Sequence, residues 1–436
     1  MKNKSSKNDL TVDEILRFRK LESAFLSRCR HFGYNEIRTS TIEPLYIFTA
    51  LGPLSDAKLR RMYSFIDWDG WSGEKVALRP DSTTCVARFY GDHLYAENAR
   101  QKLCYVENHF EWADSWDELS ERWQCGIENI GSIRPESDIE VIYMAYNILR
   151  EIGLGDIYMY LSYPAFVKEI ITALDLDEKE KNDLIAAIRN SHSERVREIL
   201  SKAEDGDKLE AILSLRGKSA NYLKNLKDTL KGSKYERVRS VFKNFVSVCE
   251  LLDRLECPYM IDFSLLGDLE YYTGIQFQIL STPTRKSRKD ILCAGGRYDN
   301  LTGDMLKLLF EEKPDDSKPD TVPAVGFALY ARNIIRHRTI IDNVAASRDR
   351  LQNIAICISN ITKHNVKTGQ LLSDKLSCLG FVARITFSPV EQEKYESFGL
   401  VIEVDHERFT DGYQILYSQK IGKPLLMNLF GEFNDR

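Results

Sequence analysis

What the chain lacks narrows its reading first. Its nine cysteines are scattered over 436 residues, with no C-x-x-C pair and no His/Cys grouping at metal-ligand spacing. That excludes zinc ribbons and redox dithiols and leaves no expected metal site. An odd, dispersed set of thiols fits buried residues in a reducing compartment, so a cytoplasmic location is expected. No stretch approaches the ~20 apolar residues of a membrane helix, and the opening MKNKSSKNDL has no apolar core of a signal peptide. An excess of basic charge is missing as well. The formal net charge is −5, so nothing global points to nucleic acid or a membrane surface. What is present, 43% hydrophobic and 29% charged residues, is ordinary for a globular protein of two or three domains.

The most informative stretch runs from Cys104 to Gly131, CYVENHFEWADSWDELSERWQCGIENIG. It reads as two strands joined by a polar loop. Alternation puts Tyr105, Glu107, His109 and Glu111 on one face and Cys104, Val106, Asn108 and Phe110 on the other. In the second strand Gln124, Gly126 and Glu128 share a face, opposite Trp123, Cys125 and Ile127. One side is apolar. The other gathers acceptors and carboxylates, with Gly126 leaving room between them. Such a face suits a small cationic or amine-bearing ligand and suits a polyphosphate badly, since phosphate needs cations opposite it. A solvated polar face of an ordinary antiparallel sheet has the same pattern.

Around this hairpin the periodicities predict further elements. Thr11 and Glu14 form a capping box for a helix running to about His31, stopped by Gly33. Met62–Trp68 and Val76–Arg79 read as a hairpin turning at Asp69-Gly70. Asp81 and Thr83 sit where a strand gives way to a helix, as caps or as pocket residues. Ser137-x-x-Glu140 opens a helix that Gly153 closes. Residues 172–252 are charged and helical, an inserted or appended unit. Gly295-Gly296 reads as a tight backbone approach before a helix. After a polar linker at 342–350, strand, helix and strand patterns predict a small α/β domain over 351–436. That domain carries nine Lys and Arg against ten Asp and Glu, whereas one that grips RNA by its phosphates should be clearly basic.

Taken together, Arg79-Pro80-Asp81-Ser82-Thr83, Gln124-Cys125-Gly126-Ile127-Glu128, Leu269-Glu270-Tyr271-Tyr272-Thr273-Gly274, Gly295-Gly296-Arg297-Tyr298-Asp299 and Val325-Gly326-Phe327-Ala328 resemble, in order and spacing, the motifs of histidyl-tRNA synthetase. The resemblance covers roughly residues 12–340, with a faint echo in the C-terminal domain. It implies an α+β chain built on the class II aminoacyl-tRNA synthetase fold, an antiparallel sheet flanked by helices. The domains expected are residues 1–341 with a helical insertion at about 172–252, then a C-terminal α/β domain at 351–436 resembling a degenerate anticodon-binding domain.

The departures concern charge. The synthetase places an arginine on the ATP α-phosphate where this chain has Glu111, and a second catalytic arginine where it has Gly267-Asp268. Ser40 replaces the proline of the first motif. Arg332 keeps the basic position of the last motif beside Ala331. Two unit charges ~4 Å apart interact by about 4 kcal/mol at an effective dielectric near 20, so each reversal turns an attraction of that order into a repulsion. A working synthetase would need other cations converging near Glu111. The amino-acid side is better kept: the resemblance implies a histidine-binding set of Asp81, Thr83, Gln124, Glu128, Tyr271 and Tyr272, although a pair such as Tyr271-Tyr272 is also common core packing.

This combination resembles the regulatory subunit of ATP phosphoribosyltransferase. The resemblance implies a non-catalytic role in the first step of histidine biosynthesis. It implies assembly with a short catalytic subunit into a hetero-octamer, a homodimer through the synthetase-like domain, histidine as effector, no cofactor and no tRNA. In enzyme class it implies no activity alone and a subunit that serves a glycosyltransferase. The alternatives are another synthetase-like paralogue acting as a binding module and a divergent histidine–tRNA ligase.

Overall fold

Sixteen strands and their helices are seen in a computed structural model that describes residues 7–50, 56–68, 73–96, 100–115, 118–189, 192–214, 216–218, 223, 235–265, 272–283, 290–310, 321–340, 353–378, 382–392, 398 and 400–418. The expected turn at Asp69-Gly70, the Gly267-Asp268 pair, Tyr271 and the linker at 342–350 lie outside the described residues. The chain divides into two units, Met1–Ile341 and Asp342–Arg436.

The strands of the first unit are β1 (Asn35–Glu36), β2 (Ile42–Pro44), β3 (Ser64–Trp68), β4 (Gly73–Leu78), β5 (Gln101–Phe110), β6 (Glu121–Ile130), β7 (Tyr158–Ser162), β8 (Arg216–Gly217), β9 (Met260–Asp262), β10 (Gln276–Leu280), β11 (Ile291–Arg297) and β12 (Ala324–Tyr330). Nine of them form one sheet in the order β1-β5-β6-β12-β11-β10-β7-β9-β8, while β2-β4-β3 make a small second sheet. The large sheet is mixed. Its middle is antiparallel as expected, but β1 joins β5 and β7 joins β9 in parallel.

The helix Val12–His31 begins where the sequence says it should. Thr11 Oγ1 accepts from the Glu14 backbone N–H at 3.3 Å, and Glu14 Oε2 accepts from the Thr11 N–H at 3.0 Å, which satisfies two end groups reciprocally. Phe18, Leu21, Phe25 and Cys29 follow at helical spacing and are buried, each large apolar side chain contributing roughly 1.5–3 kcal/mol. Gly33 takes φ +76° just beyond the end, a conformation that favours glycine. The helix expected from Ser137-x-x-Glu140 starts earlier than that signal, at Pro135, because proline's fixed φ suits the first helical turn.

Helix Val12–His31 and helix Pro135–Glu151 cover one face of the sheet, the side of Cys104, Val106, Cys125, Ile127, Val325, Phe327 and Leu329. Within 172–252 the described elements are helices Glu178–Arg189, Ser193–Leu200, Gly206–Ser214 and Glu236–Arg254, with the two-residue β8 at the sheet's end. Phe242 and Phe245 of the last helix pack near Phe166 and Phe263, with ring centroids 4.9 and 5.8 Å apart. This stretch therefore shares the main core. Gly295-Gly296 falls inside β11, and helix Leu301–Leu309 follows it as expected. The close approach is real, since a β-carbon on Gly295 would lie 2.4 Å from the Gly326 carbonyl oxygen.

In the second unit β13 (Asn353–Cys357) pairs in parallel with β14 (Val382–Thr386) and β15 (Leu400–Val404), and β16 (Tyr413–Ser418) closes the edge antiparallel to β15. Helix Lys363–Cys378 packs Leu372 and Leu376 against Ile354, Ile356, Leu400 and Ile402. The eight cysteines whose side chains are described are free and buried. Among the described residues no helix is long and apolar enough to cross a membrane.

Candidate functional site

Register fixes what shares the second face of the large sheet. Tyr105 lies opposite Gly126, Glu107 opposite Gln124 and His109 opposite Arg122. On the next strand Gly326 lies opposite Glu128, Ala328 opposite Gly126 and Tyr330 opposite Gln124. Opposed residues point to the same side, so the acceptors of the hairpin do gather on one face. That face is not solvated there: Glu107 and Glu128 are 2% exposed and His109 4%. Buried carboxyls must be hydrogen-bonded or neutralised, and each of these is answered differently.

Glu107 is ionically paired. Its Oε1 is 3.3 Å from Arg79 Nη1 and accepts from the Thr39 N–H at 2.5 Å, while Ser82 Oγ donates to Oε2 at 2.6 Å. Arg79 is engaged all round, donating to the Thr39 carbonyl at 2.9 Å, the Asn108 carbonyl at 2.7 Å and Asn108 Oδ1 at 2.9 Å. The Ser82 hydroxyl also sits 2.7 Å from His109 Nε2. The serine stands between acid and imidazole, whereas an activated serine needs the imidazole in the middle. Burial, helped by the charges of Arg79, Lys58 and Arg122, pushes His109 down to about 3, so the ring is neutral.

Among the described residues Glu128 has no such cation. It accepts from Thr83 Oγ1 at 2.9 Å and from the Tyr298 hydroxyl. Burial pushes its carboxyl up to about 8 despite these bonds, and the nearby Asp81 adds to the rise. Asp81 caps helix Ser82–His93, its Oδ2 accepting from the Thr84 N–H at 2.9 Å and Thr84 Oγ1 at 3.0 Å. Capping and pocket roles are compatible here, because the first turn also carries Thr83 to Glu128. Tyr272 is buried and feels Glu128 and Asp81. The structure thus brings Asp81, Thr83, Glu128 and Tyr272 together, with half-buried Gln124 on the same face.

The expected room above Gly126 is taken. A β-carbon there would lie 2.2 Å from the Tyr105 ring, so the glycine accommodates that tyrosine rather than a ligand. Two neighbours follow the same logic: one on Gly326 would lie 1.9 Å from Glu128 Oε2, and one on Gly296 would lie 2.8 Å from the Tyr272 ring. Tyr105 and Tyr298 are the members that sequence reasoning did not select. Continuing the alternation of β11 past Gly296 puts Tyr298 on this face, which was the signal available. Between them, Arg297 points to the other side and ties the sheet to helix Pro135–Glu151 through Asp138 at 2.7 Å.

Around the phosphate positions the charges are matched among themselves. Arginines do converge on Glu111: Arg61 Nη1 lies 3.0 Å away and Arg122 also pairs with it. Arg61 additionally pairs with Asp114 at 3.3 Å and with Glu118. Among the described residues these ion pairs set two arginines against three carboxylates, so they offer a phosphate no net attraction. Arg332 does not serve this face. It donates to the Lys7 and Asp9 carbonyls at 2.7 and 2.9 Å, beside Phe18 and Trp123 on the opposite side of the sheet.

The model of the histidyl-tRNA synthetase family matches residues 7–334. The ATP phosphoribosyltransferase regulatory subunit of Dehalococcoides mccartyi strain BAV1 is 34% identical over 329 residues, 75% of each chain. The histidine–tRNA ligase of Methanococcus maripaludis strain C6 is 29% identical over 328 residues, 73% of this chain and 72% of that one. A crystal structure of an ATP phosphoribosyltransferase regulatory subunit/histidyl-tRNA synthetase from Bacillus halodurans aligns with a TM-score of 0.69 at 19% identity, covering 89% of this chain and 94% of that one. At that identity it shows the fold, which is the class II synthetase fold with a mixed sheet. The expectation of a subunit serving a glycosyltransferase is corrected by these relatives, which are named regulatory subunits of ATP phosphoribosyltransferase and not glycosyltransferases. The chain belongs to the histidyl-tRNA synthetase family and, within it, is homologous to the ATP phosphoribosyltransferase regulatory subunits.

Proposed function

We propose that this chain is the regulatory partner of a short-form ATP phosphoribosyltransferase catalytic subunit and that it senses histidine on the Glu128 face. The observation that carries the reading is the distribution of charge. Arg61, Arg79 and Arg122 are each tied to acids, whereas among the described residues Glu128 has only hydroxyl donors and stands near Asp81. Such a site favours an incoming cation or imidazole and disfavours a triphosphate. Asp81, Thr83 and Gln124 would take the α-amino group, Glu128 and Tyr272 the imidazole, and Tyr271 is assigned beside them by resemblance. A homodimer through the first unit is part of the same proposal. It draws on β3, whose five residues are all exposed and whose Ile66 and Trp68 share one face. Isolated exposed apolar residues are normal, but a contiguous group marks a contact surface.

The second reading, a working histidine–tRNA ligase, draws on the convergence of Arg61 and Arg122 at Glu111. Histidine-dependent ATP–pyrophosphate exchange separates the two. Regulation predicts no exchange, together with higher turnover of the catalytic subunit when this chain is added. Exchange, or charging of tRNA with histidine, would refute it.

A further inference from the structure

Behind the hairpin, on the side away from Glu128, Arg332 is spent on the chain's own N-terminal segment. Its Nη2 donates to the Lys7 and Asp9 carbonyls. Asn8, between them, reaches the hairpin: its Nδ2 donates to Ser120 Oγ at 2.8 Å, and its Oδ1 accepts from the Glu121 N–H at 3.4 Å. Residues 7–10 therefore run from helix Ala331–Ile335 to the start of β6. The Ser120 carbonyl accepts from the Glu111 N–H at 3.0 Å, so this segment reaches the end of the hairpin that carries Glu111.

The arginine itself is incompletely satisfied. It is 9% exposed, and its buried Nε–H has no hydrogen-bond partner among the described residues. Glu14 Oε1 lies 3.9 Å from it but 2.9 Å from Arg336, with which it makes the closer pair. Unpaired buried donors are costly and rare in native proteins. Here the side chain lines a cavity of about 10 Å³, together with Asn8 and Glu121 and the apolar walls Phe18, Trp123 and Ile335. Glu121 and Trp123 share this face by alternation. One oxygen of Glu121, Oε1, accepts from Asn108 Nδ2 at 2.9 Å, which leaves Oε2 to the cavity.

We propose that residues 7–10 are a strap holding the outer end of the hairpin from behind, closed by one bound water that accepts from Arg332 and donates to Glu121. The volume selects the ligand, since the cavity has room for a single water and none for an organic group. A bridging water is nearly as good as a direct hydrogen bond, and it lets the two charges meet without touching. The strap fixes the end of the hairpin bearing Glu111 and Arg122. Glu128 lies seven residues further along β6, about 23 Å away, so the strap acts apart from that site and does not depend on the histidine reading.

Two probes on the full chain test it: trypsin cleavage after Lys7, and hydrogen exchange at the Glu111 and Glu121 amides. Both follow the opening of the segment. Arg332→Gln should speed both by about tenfold or more, and Glu121→Gln severalfold. Effects across a bridge do not multiply, so the double variant should be no faster than Arg332→Gln alone. Exchange at the Glu128 amide should stay unchanged in all three. Asn8→Ala removes only the strap's own contacts to Ser120 and Glu121. It should speed the same cleavage and serves as the second variant if Arg332→Gln folds poorly. Crystals of the full chain should show one water within hydrogen-bond distance of both Arg332 and Glu121. Effects that multiply, or no water there in a map that shows other buried waters, would overturn the bridge. Cleavage after Lys7 as fast in the wild type as in the variants would overturn the strap.

Discussion

Glu128 carries a stability cost that can be read as a pH slope. Its folded pKa of about 8 stands above the ordinary carboxylate value of 4.5 because it is buried. Below pH 4.5 the group is protonated in both folded and unfolded chains and costs nothing. As pH rises, the unfolded carboxyl ionises while the folded one cannot, so stability falls until about pH 8. At ~1.4 kcal/mol per pH unit, the loss between pH 5.5 and 7.5 is up to ~3 kcal/mol. Glu128→Gln keeps the shape and removes the charge. Thermal unfolding of both proteins at the two pH values gives the double difference, in which other titrating groups, His109 included, cancel. The wild type should lose about 3–5 °C more than the variant over that interval, taking ~2 °C per kcal/mol for a unit of this size. Identical slopes would mean that Glu128 ionises freely in the fold, and the argument from burial would fail.

Glu107→Gln removes the carboxylate that Arg79 is held against and leaves a buried cation with only neutral acceptors. We expect about 3 kcal/mol of destabilisation, measured as a lower urea midpoint; a variant as stable as wild type would show the pair to be dispensable. On β3, Ile66→Lys with Trp68→Lys should convert the proposed homodimer to monomer in light scattering while leaving the circular-dichroism spectrum unchanged. A dimer that survives both changes would place the contact elsewhere.

The alternation of the central hairpin was legible because β5 and β6 are regular ten-residue strands, so a period of two decided the face of every side chain. The capping box at Thr11 and the stop at Gly33 were legible for the same reason: each is a local device. Burial of the polar face was not, since a polar alternating strand looks the same in water or against a second layer. Gly126 shows the limit most clearly. A small residue between polar ones suggests space, but whether a neighbour fills that space depends on the rotamer of Tyr105, which no spacing encodes. Arg332 keeps the basic position of the last motif, but the motif does not say which face it serves. It turns away because helix Ala331–Ile335 begins one residue earlier and breaks the strand alternation. Likewise Arg61 lies far in sequence from Glu111, so their pairing is a property of the fold alone. Two of the large sheet's joins are parallel because β1 and β9 are short strands whose direction is set by the segments they close, not by their own two or three residues.

The central claim is that this site recognises an amine and an imidazole but no longer holds a triphosphate. Isothermal titration of histidine into the full chain, followed by ATP into the same histidine-loaded protein, tests it directly. The account predicts saturable heat with histidine that is lost in Glu128→Gln, and none with ATP. Saturable binding of ATP, or no heat with histidine in the presence of the catalytic subunit, would contradict it.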